Sequence, residues 1–296
     1  MSYLNSKTNK YLFIIVLLTS FFIVFIFYFL NNINNSNELL SKLENSLSTT
    51  KNLFEEQKRY ALSLAILLSE DKEIINSYLK SNREESFKIV NKKIETLKQF
   101  QNSNFEIQIH NKDLTTYLRS WNLDIKDIPL ASFRNGLVKV KKEKKPLVSI
   151  ELGKRLNIKA ISPILQDNKF LGSIEAIVDF EYLSEELKEK GYKLFVLLDE
   201  KYLSIATDLK NNNTISKFVL VNNANIFDLK DLDLNNLKDY GYTSNENYSF
   251  AYFSYYDLNH KHLGYIFTAI ENNHHIDIKN SFDYEATNLN SKVRIK

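Results

Sequence analysis

Residues 105–173 read FEIQIHNKDLTTYLRSWNLDIKDIPLASFRNGLVKVKKEKKPLVSIELGKRLNIKAISPILQDNKFLGS, and the fold turns on this stretch. It holds the only tryptophan, Trp121, all three prolines, Pro129, Pro146 and Pro163, and a spaced set of basic residues. FEIQIH (105–110) alternates apolar and polar side chains, as a half-buried strand does. LVSIEL, NIKAIS and SIEAIVDF follow with β-branched enrichment. Gln166-Asp167-Asn168 forms a turn between the last two, so they read as a hairpin. Between the first strand and the others, Arg134 to Lys144 reads as a short amphipathic helix whose KKEKK face is solvated. An antiparallel sheet with an inserted helix belongs to the α+β class.

Upstream, YLFIIVLLTSFFIVFIFYFL (11–30) carries no charge and meets the roughly 20-residue length of a bilayer-spanning helix. Lys7 and Lys10 precede it and no basic residue follows until Lys42, so the N-terminus is expected in the cytoplasm and the bulk of the chain outside. A cleaved signal peptide would have a shorter apolar core, about 7–15 residues, and a small-x-small site. Neither is present. From Glu38 to Tyr78, Leu39, Leu43, Leu47, Phe54, Ala61, Leu64 and Leu68 recur at helical spacing, a stalk helix. It pairs with a copy of itself, packs one face on its own domain, or does each along different turns. A second helical pattern runs from Glu84 to Phe100.

Downstream, YLSEELKEKG (182–191) is a helix with a glycine stop, followed by KLFVLLD, KFVLVN, YSFAYFSYYD and LGYIFTAI as a second strand set. Residues 222–247 read as loop and the tail from His274 as weakly helical. LGYIFTAI is too short for a second span. The expected division is a cytoplasmic tail (1–10), a transmembrane helix (11–30), a stalk (31–80), two lobes (81–181 and 182–273) and a C-terminal tail (274–296).

The chain balances 39 Lys and Arg against 36 Asp and Glu, too even a count to argue for nucleic acid. It has no cysteine, hence no disulfide and no thiolate chemistry. Walker, GxGxxG, HExxH and GxSxG motifs are absent, so no enzyme and no cofactor is expected. His260 and His262 are placed on one strand face and His274 beside His275, but no carboxylate or cysteine completes a metal site.

Several ordered elements resemble the double-Cache sensory domains of bacterial sensor kinases and chemoreceptors. They are His110, Tyr117-Leu118-Arg119-Ser120-Trp121, Ser132-Phe133-Arg134, Lys145-Pro146, Glu151-Leu152-Gly153, Pro163 and Gly172-Ser173-Ile174-Glu175. The resemblance implies two PAS-like lobes on a helical stalk, the first being membrane-distal and holding a small anionic or zwitterionic ligand. Full sensors of that kind return to the cytoplasm and carry a signalling module. Here the expectation is a binding protein acting through a partner, or the remnant of a split gene.

Arg119 and Trp121 lie two apart, so on an extended segment both face one way. A guanidinium offers a donor fork to a carboxylate, and an indole beside it supplies an apolar wall or a cation–π contact. The plain alternative is a core tryptophan and a structurally paired arginine. Tyr117 enters with the same element, though the tyrosines and aspartate that complete an amino-acid site in such domains are not matched. The resemblance also places Arg134, Lys154 and Lys159 at cationic positions, where lysine keeps the charge but loses the fork. Glu151 is expected to neutralise one of these cations or grip an amine, and His110 to donate to an anion. A rival reading is a structural or adaptor protein with a degenerate pocket that acts through its helix. A pocket filled by Phe and Leu would favour the rival; an open one reached by Arg119, Trp121 and Arg134 would favour sensing.

Overall fold

The computed structural model describes residues 2–99 and 104–272. Phe100 and the tail with His274 and His275 lie outside the described residues. The chain divides into two compact units, Met1–Asn45 and Ser46–Lys296. One helix, α1 (Ser2–Ser69), contributes to both; no proline or glycine interrupts it. In the first unit every large apolar side chain from Tyr11 to Leu30 is exposed. The segment Lys10–Leu30 is long and apolar enough to cross a bilayer. Its two aliphatic hydroxyls, Thr19 and Ser20, donate back to the Val16 carbonyl at 2.9 and 2.8 Å, so they add no unsatisfied donor to the apolar surface.

In the second unit, α1 is a packing helix. Leu47, Phe54, Ala61, Leu64 and Leu68 are buried. Phe54 meets Phe180 and Phe253 at 5.8 and 6.5 Å between ring centroids, Tyr60 meets Phe105 at 6.3 Å, and the Ser69 hydroxyl donates to Ser162. The spacing expected for a stalk is therefore used against the chain's own strands, and between Leu47 and Leu68 that face is not free for a second copy. Nor does the helix run to Tyr78. Asp71 accepts hydrogen bonds from the backbone N–H groups of Glu73 and Ile74, capping a new helix, α2 (Lys72–Leu79). Such a cap satisfies N–H groups that an uninterrupted helix would have bonded internally, so the break costs little. Helix α3 (Arg83–Lys98) follows, capped by Asn82.

The first sheet contains β1 (Phe105–Asn111) and β2 (Thr116–Arg119). After α4 (Asn135–Glu143) come β3 (Leu147–Leu152), β4 (Leu156–Gln166) and β5 (Lys169–Val178). The order is β2-β1-β5-β4-β3, all antiparallel. Asp167 and Asn168 turn the β4–β5 hairpin with φ of 49° and 58°, the paired positive values of a type I′ turn. Alternation gives the sheet two different faces. Phe105 and Ser162 meet α1 on one, while α4 and its core of Leu137, Val140 and Ile161 cover part of the other.

Helix α5 (Glu181–Glu189) leads to the second sheet. Its strands are β6 (Lys193–Asp199), β7 (Thr214–Ile215), β8 (Phe218–Leu220), β9 (Tyr240–Ser244), β10 (Tyr248–Tyr256) and β11 (His262–Glu271). Their order is β7-β8-β6-β11-β10-β9 over a core of Phe195, Phe218, Phe250, Tyr252 and Phe267. Strand β9 lies in the stretch read as loop. It is a short edge strand, and Gly241 dilutes its apolar signal. His260 sits in the β10–β11 turn with φ of 60°, so it does not share a strand face with His262. Among the described residues no group of three metal-ligating side chains converges.

Candidate functional site

The sheet face away from α1 is polar where a covered sheet is normally apolar. Register puts Glu106, Gln108 and His110 of β1 beside Ile177, Glu175 and Ser173 of β5, and these beside Lys159, Ile161 and Pro163 of β4. Asn157 and Lys159 in turn face Glu151 and Ser149 of β3. The loop from Trp121 to Arg134 arches over this face and encloses a cavity of about 340 Å³. That volume suits a small metabolite.

The floor is an ionic cluster centred on Glu175, which is fully buried. Arg134 reaches in from the start of α4, pairing through one nitrogen with Glu175 and through Nε with Glu151 at 3.2 Å. Ser149 donates to the other Glu151 oxygen at 3.1 Å. His110 Nε2 is 3.6 Å from Glu175, and its Nδ1 is 3.1 Å from the Ser173 hydroxyl. Desolvation alone would push the Glu175 carboxyl up; Arg134, His110 and Lys159 outweigh it and hold the group far below the usual carboxylate range. Burial lowers the His110 pKa, against the pull of Glu175. Two glycines admit this packing. A Cβ on Gly136 would fall 2.1 Å from Glu151 Oε1, and one on Gly153 would fall 2.7 Å from Lys159 Nζ.

Above the floor, two of the cations lack an ion-pair partner among the described residues. Arg119 makes no side-chain hydrogen bond or ion pair among the described residues, and its Nε is buried without a partner. Its guanidinium lies 5.5 Å from the Trp121 ring. Desolvation lowers its pKa, opposed chiefly by Glu175. Lys159 is only 4% exposed and is likewise unpaired among the described residues. Arg155 is engaged by Glu106. Lys154 stands exposed at the rim, where its carbonyl accepts from the Asp208 N–H at 2.9 Å. Asp208 belongs to the loop between β6 and β7, so the second sheet's connections contribute to the wall.

Of the eight residues singled out in sequence, Arg119, Trp121, Arg134, Lys154 and Lys159 line this cavity. Glu151 and His110 do not; they belong to the buried cluster, Glu151 as counter-ion to Arg134 and His110 beside Glu175. Tyr117 is turned away. The β1–β2 register slips between Ile109 and His110, pairing Ile109 with Leu118 but His110 with Thr116. Tyr117 is the extra residue of that bulge, and its ring packs on Tyr78 at 4.8 Å with its hydroxyl 3.4 Å from Ser86. Glu175 was missed as a site residue. Its signal was a lone glutamate on the alternation of an otherwise apolar strand, SIEAIV.

Residues 36–267 match the family model described as the double sensory domain of two-component sensor kinase. No curated protein matches the chain. Among solved structures, the sensor domain of the V. cholerae histidine kinase DctB is 15% identical, with 80% of this chain and 98% of that one covered at a TM-score of 0.47. The ligand-binding domain of the Campylobacter jejuni chemoreceptor Tlp3, in complex with L-norvaline, is 16% identical, with 84% and 95% covered at a TM-score of 0.47.

Proposed function

Because the chain belongs to the family of double sensory domains of two-component sensor kinases, we propose that it is a membrane-anchored, extracytoplasmic sensor that binds a small carboxylate in its first lobe. The observation that carries this reading is a pair of cations, Arg119 and Lys159, that line an open cavity without a partner among the described residues. Structural cations find carboxylates within the fold, as Arg134 and Arg155 do. A buried cation without one is costly unless a ligand supplies the charge. The aromatic wall of Trp121 and Phe133, 40% and 41% exposed, remains accessible to an apolar part of the ligand. An accessible cationic cavity also favours sensing over the adaptor reading, which calls for a filled pocket.

In this reading the lobes are residues 81–181 and 182–273, and the backbone N–H of Asp208 bonds to Lys154 at the cavity rim. Binding is non-covalent, and the signal is a shift between two arrangements of the lobes that ligand contacts bias.

The full chain in detergent micelles, melted with small carboxylates with and without an α-ammonium group, tests the site. At least one is expected to raise the melting temperature, and failure of all of them would sink the reading. Topology has its own check. With Lys7 and Lys10 before the apolar run, a periplasm-dependent reporter fused after Lys296 is expected to be active. Activity of a cytoplasm-dependent reporter there would reverse the orientation.

A further inference from the structure

Of Arg119 and Lys159, Lys159 is the less explicable, because it is almost wholly buried and has no partner among the described residues. Both carboxylates that face it are already engaged by Arg134, Glu151 of β3 with Ser149 as well and Glu175 of β5 through one oxygen, its Oε2 accepting no hydrogen bond among the described residues. The cations around it are Arg134 before α4, Arg155 at the head of β4 with its partner Glu106 on β1, and Arg119 on β2. His110 of β1 lies behind Glu175, and Lys154 and Asp208 stand at the rim. The ammonium rests over Gly153, where any Cβ would crowd it. Burial, then the field of Arg134, brings its pKa down to about 7, against the pull of Glu175 and Glu151. An anion beside Arg119 would add the missing countercharge and restore the proton.

We propose that the cavity takes its anion together with a proton, which Lys159 accepts, so that occupancy reports external pH as well as anion concentration. This inference rests on the carboxylate reading of the cavity. The sign follows from linkage. The occupied protein holds more protons than the empty one, so affinity falls as pH rises through the value of the empty state. Above about pH 8 the loss approaches tenfold per pH unit; below about pH 6 affinity is flat. Without ligand, the unfolded chain binds the extra proton between the folded value of about 7 and the ordinary 10.5, so Lys159 makes stability rise with pH across that window.

Calorimetric titration of the full chain with succinate and with pyruvate, in Tris and in imidazole buffers, measures the proton directly. The expected uptake is about half a proton per anion at pH 7, approaching one near pH 9. Lys159→Met should abolish the uptake and flatten the pH profile. Lys159→Arg should bind with little pH dependence, because its charge is permanent. In the empty protein, Lys159→Met should melt higher than wild type at neutral pH, with the gain shrinking toward pH 10. Binding of either anion without proton uptake, with the profile of Lys159→Met, would overturn the coupling and leave the carboxylate reading standing. So would identical pH–stability curves for the two empty proteins. Absence of binding by every carboxylate at about pH 6 would overturn the carboxylate reading and the coupling with it.

Discussion

Glu175→Ala is expected to destabilise the protein by about 3–5 kcal/mol, the cost of leaving a buried partner uncompensated. Arg134 would keep only Glu151, through one nitrogen, in surroundings where it is 4% exposed. For a unit of this size, that loss corresponds to a fall in melting temperature of roughly 6–20 °C. Glu175→Gln keeps the shape and loses the charge, so a smaller loss is expected. The pH dependence has a definite sign. The folded carboxyl titrates far below its ordinary 4.5, so its stabilisation is complete at neutral pH and fades as pH falls below about 4.5 toward the folded value. The gap between wild type and Glu175→Gln should therefore narrow in acid. A melting temperature for Glu175→Ala within a degree of wild type would show that Glu175 is not the hub of this cluster.

How much of this was readable beforehand depends on which signals are local. Strand alternation in FEIQIH, NIKAIS and SIEAIVDF, and the Asp-Asn turn, are properties of a few consecutive residues, and the first sheet formed where they pointed. The same alternation placed Lys159 on the cavity face and Arg119 beside Trp121. Tyr117 shows the limit. Two residues from Arg119, it would share its face in a regular strand, but a one-residue slip against β1 turns it toward Tyr78 and Ser86. No residue type marks that slip, because the choice is made by pairing with a distant strand. The packing partner of the stalk was hidden for a related reason. Periodicity in Leu47, Phe54, Ala61 and Leu64 says that one face is buried without saying against what, and the answer, Phe180 and Phe253, lies over a hundred residues along. The Asp71 cap, by contrast, was a local signal that the unbroken apolar spacing masked. Glu151 was read as a counter-ion or an amine ligand, and Arg134 takes it as the former. Glu175 needed the sheet order, since only the β1–β5 and β4–β5 registers bring it between His110 and Lys159.

Arg119→Ala is expected to weaken carboxylate binding about 30-fold or more. A charge-assisted pair in a desolvated pocket is worth on the order of 2–5 kcal/mol, and each 1.4 kcal/mol is about tenfold in Kd. Arg119→Lys should rescue only part of this, since a point charge cannot reproduce the fork. What separates a ligand contact from a structural arginine is the empty protein. Arg119 donates no side-chain hydrogen bond and forms no ion pair among the described residues, and its Nε is buried without a partner. Its guanidinium lies 5.5 Å from the Trp121 ring, and a half-exposed cation–π contact contributes only about 0.5–1 kcal/mol. Removing the side chain should therefore leave the melting temperature of the empty protein almost unchanged, or raise it slightly by relieving repulsion with Arg134. Affinity and stability should thus respond in opposite proportion to the two large substitutions: Glu175→Ala mainly loses stability, Arg119→Ala mainly loses ligand. An Arg119→Ala protein that melts several degrees lower and binds its carboxylate as tightly as wild type would remove Arg119 from the site and leave Lys159 as its buried cation.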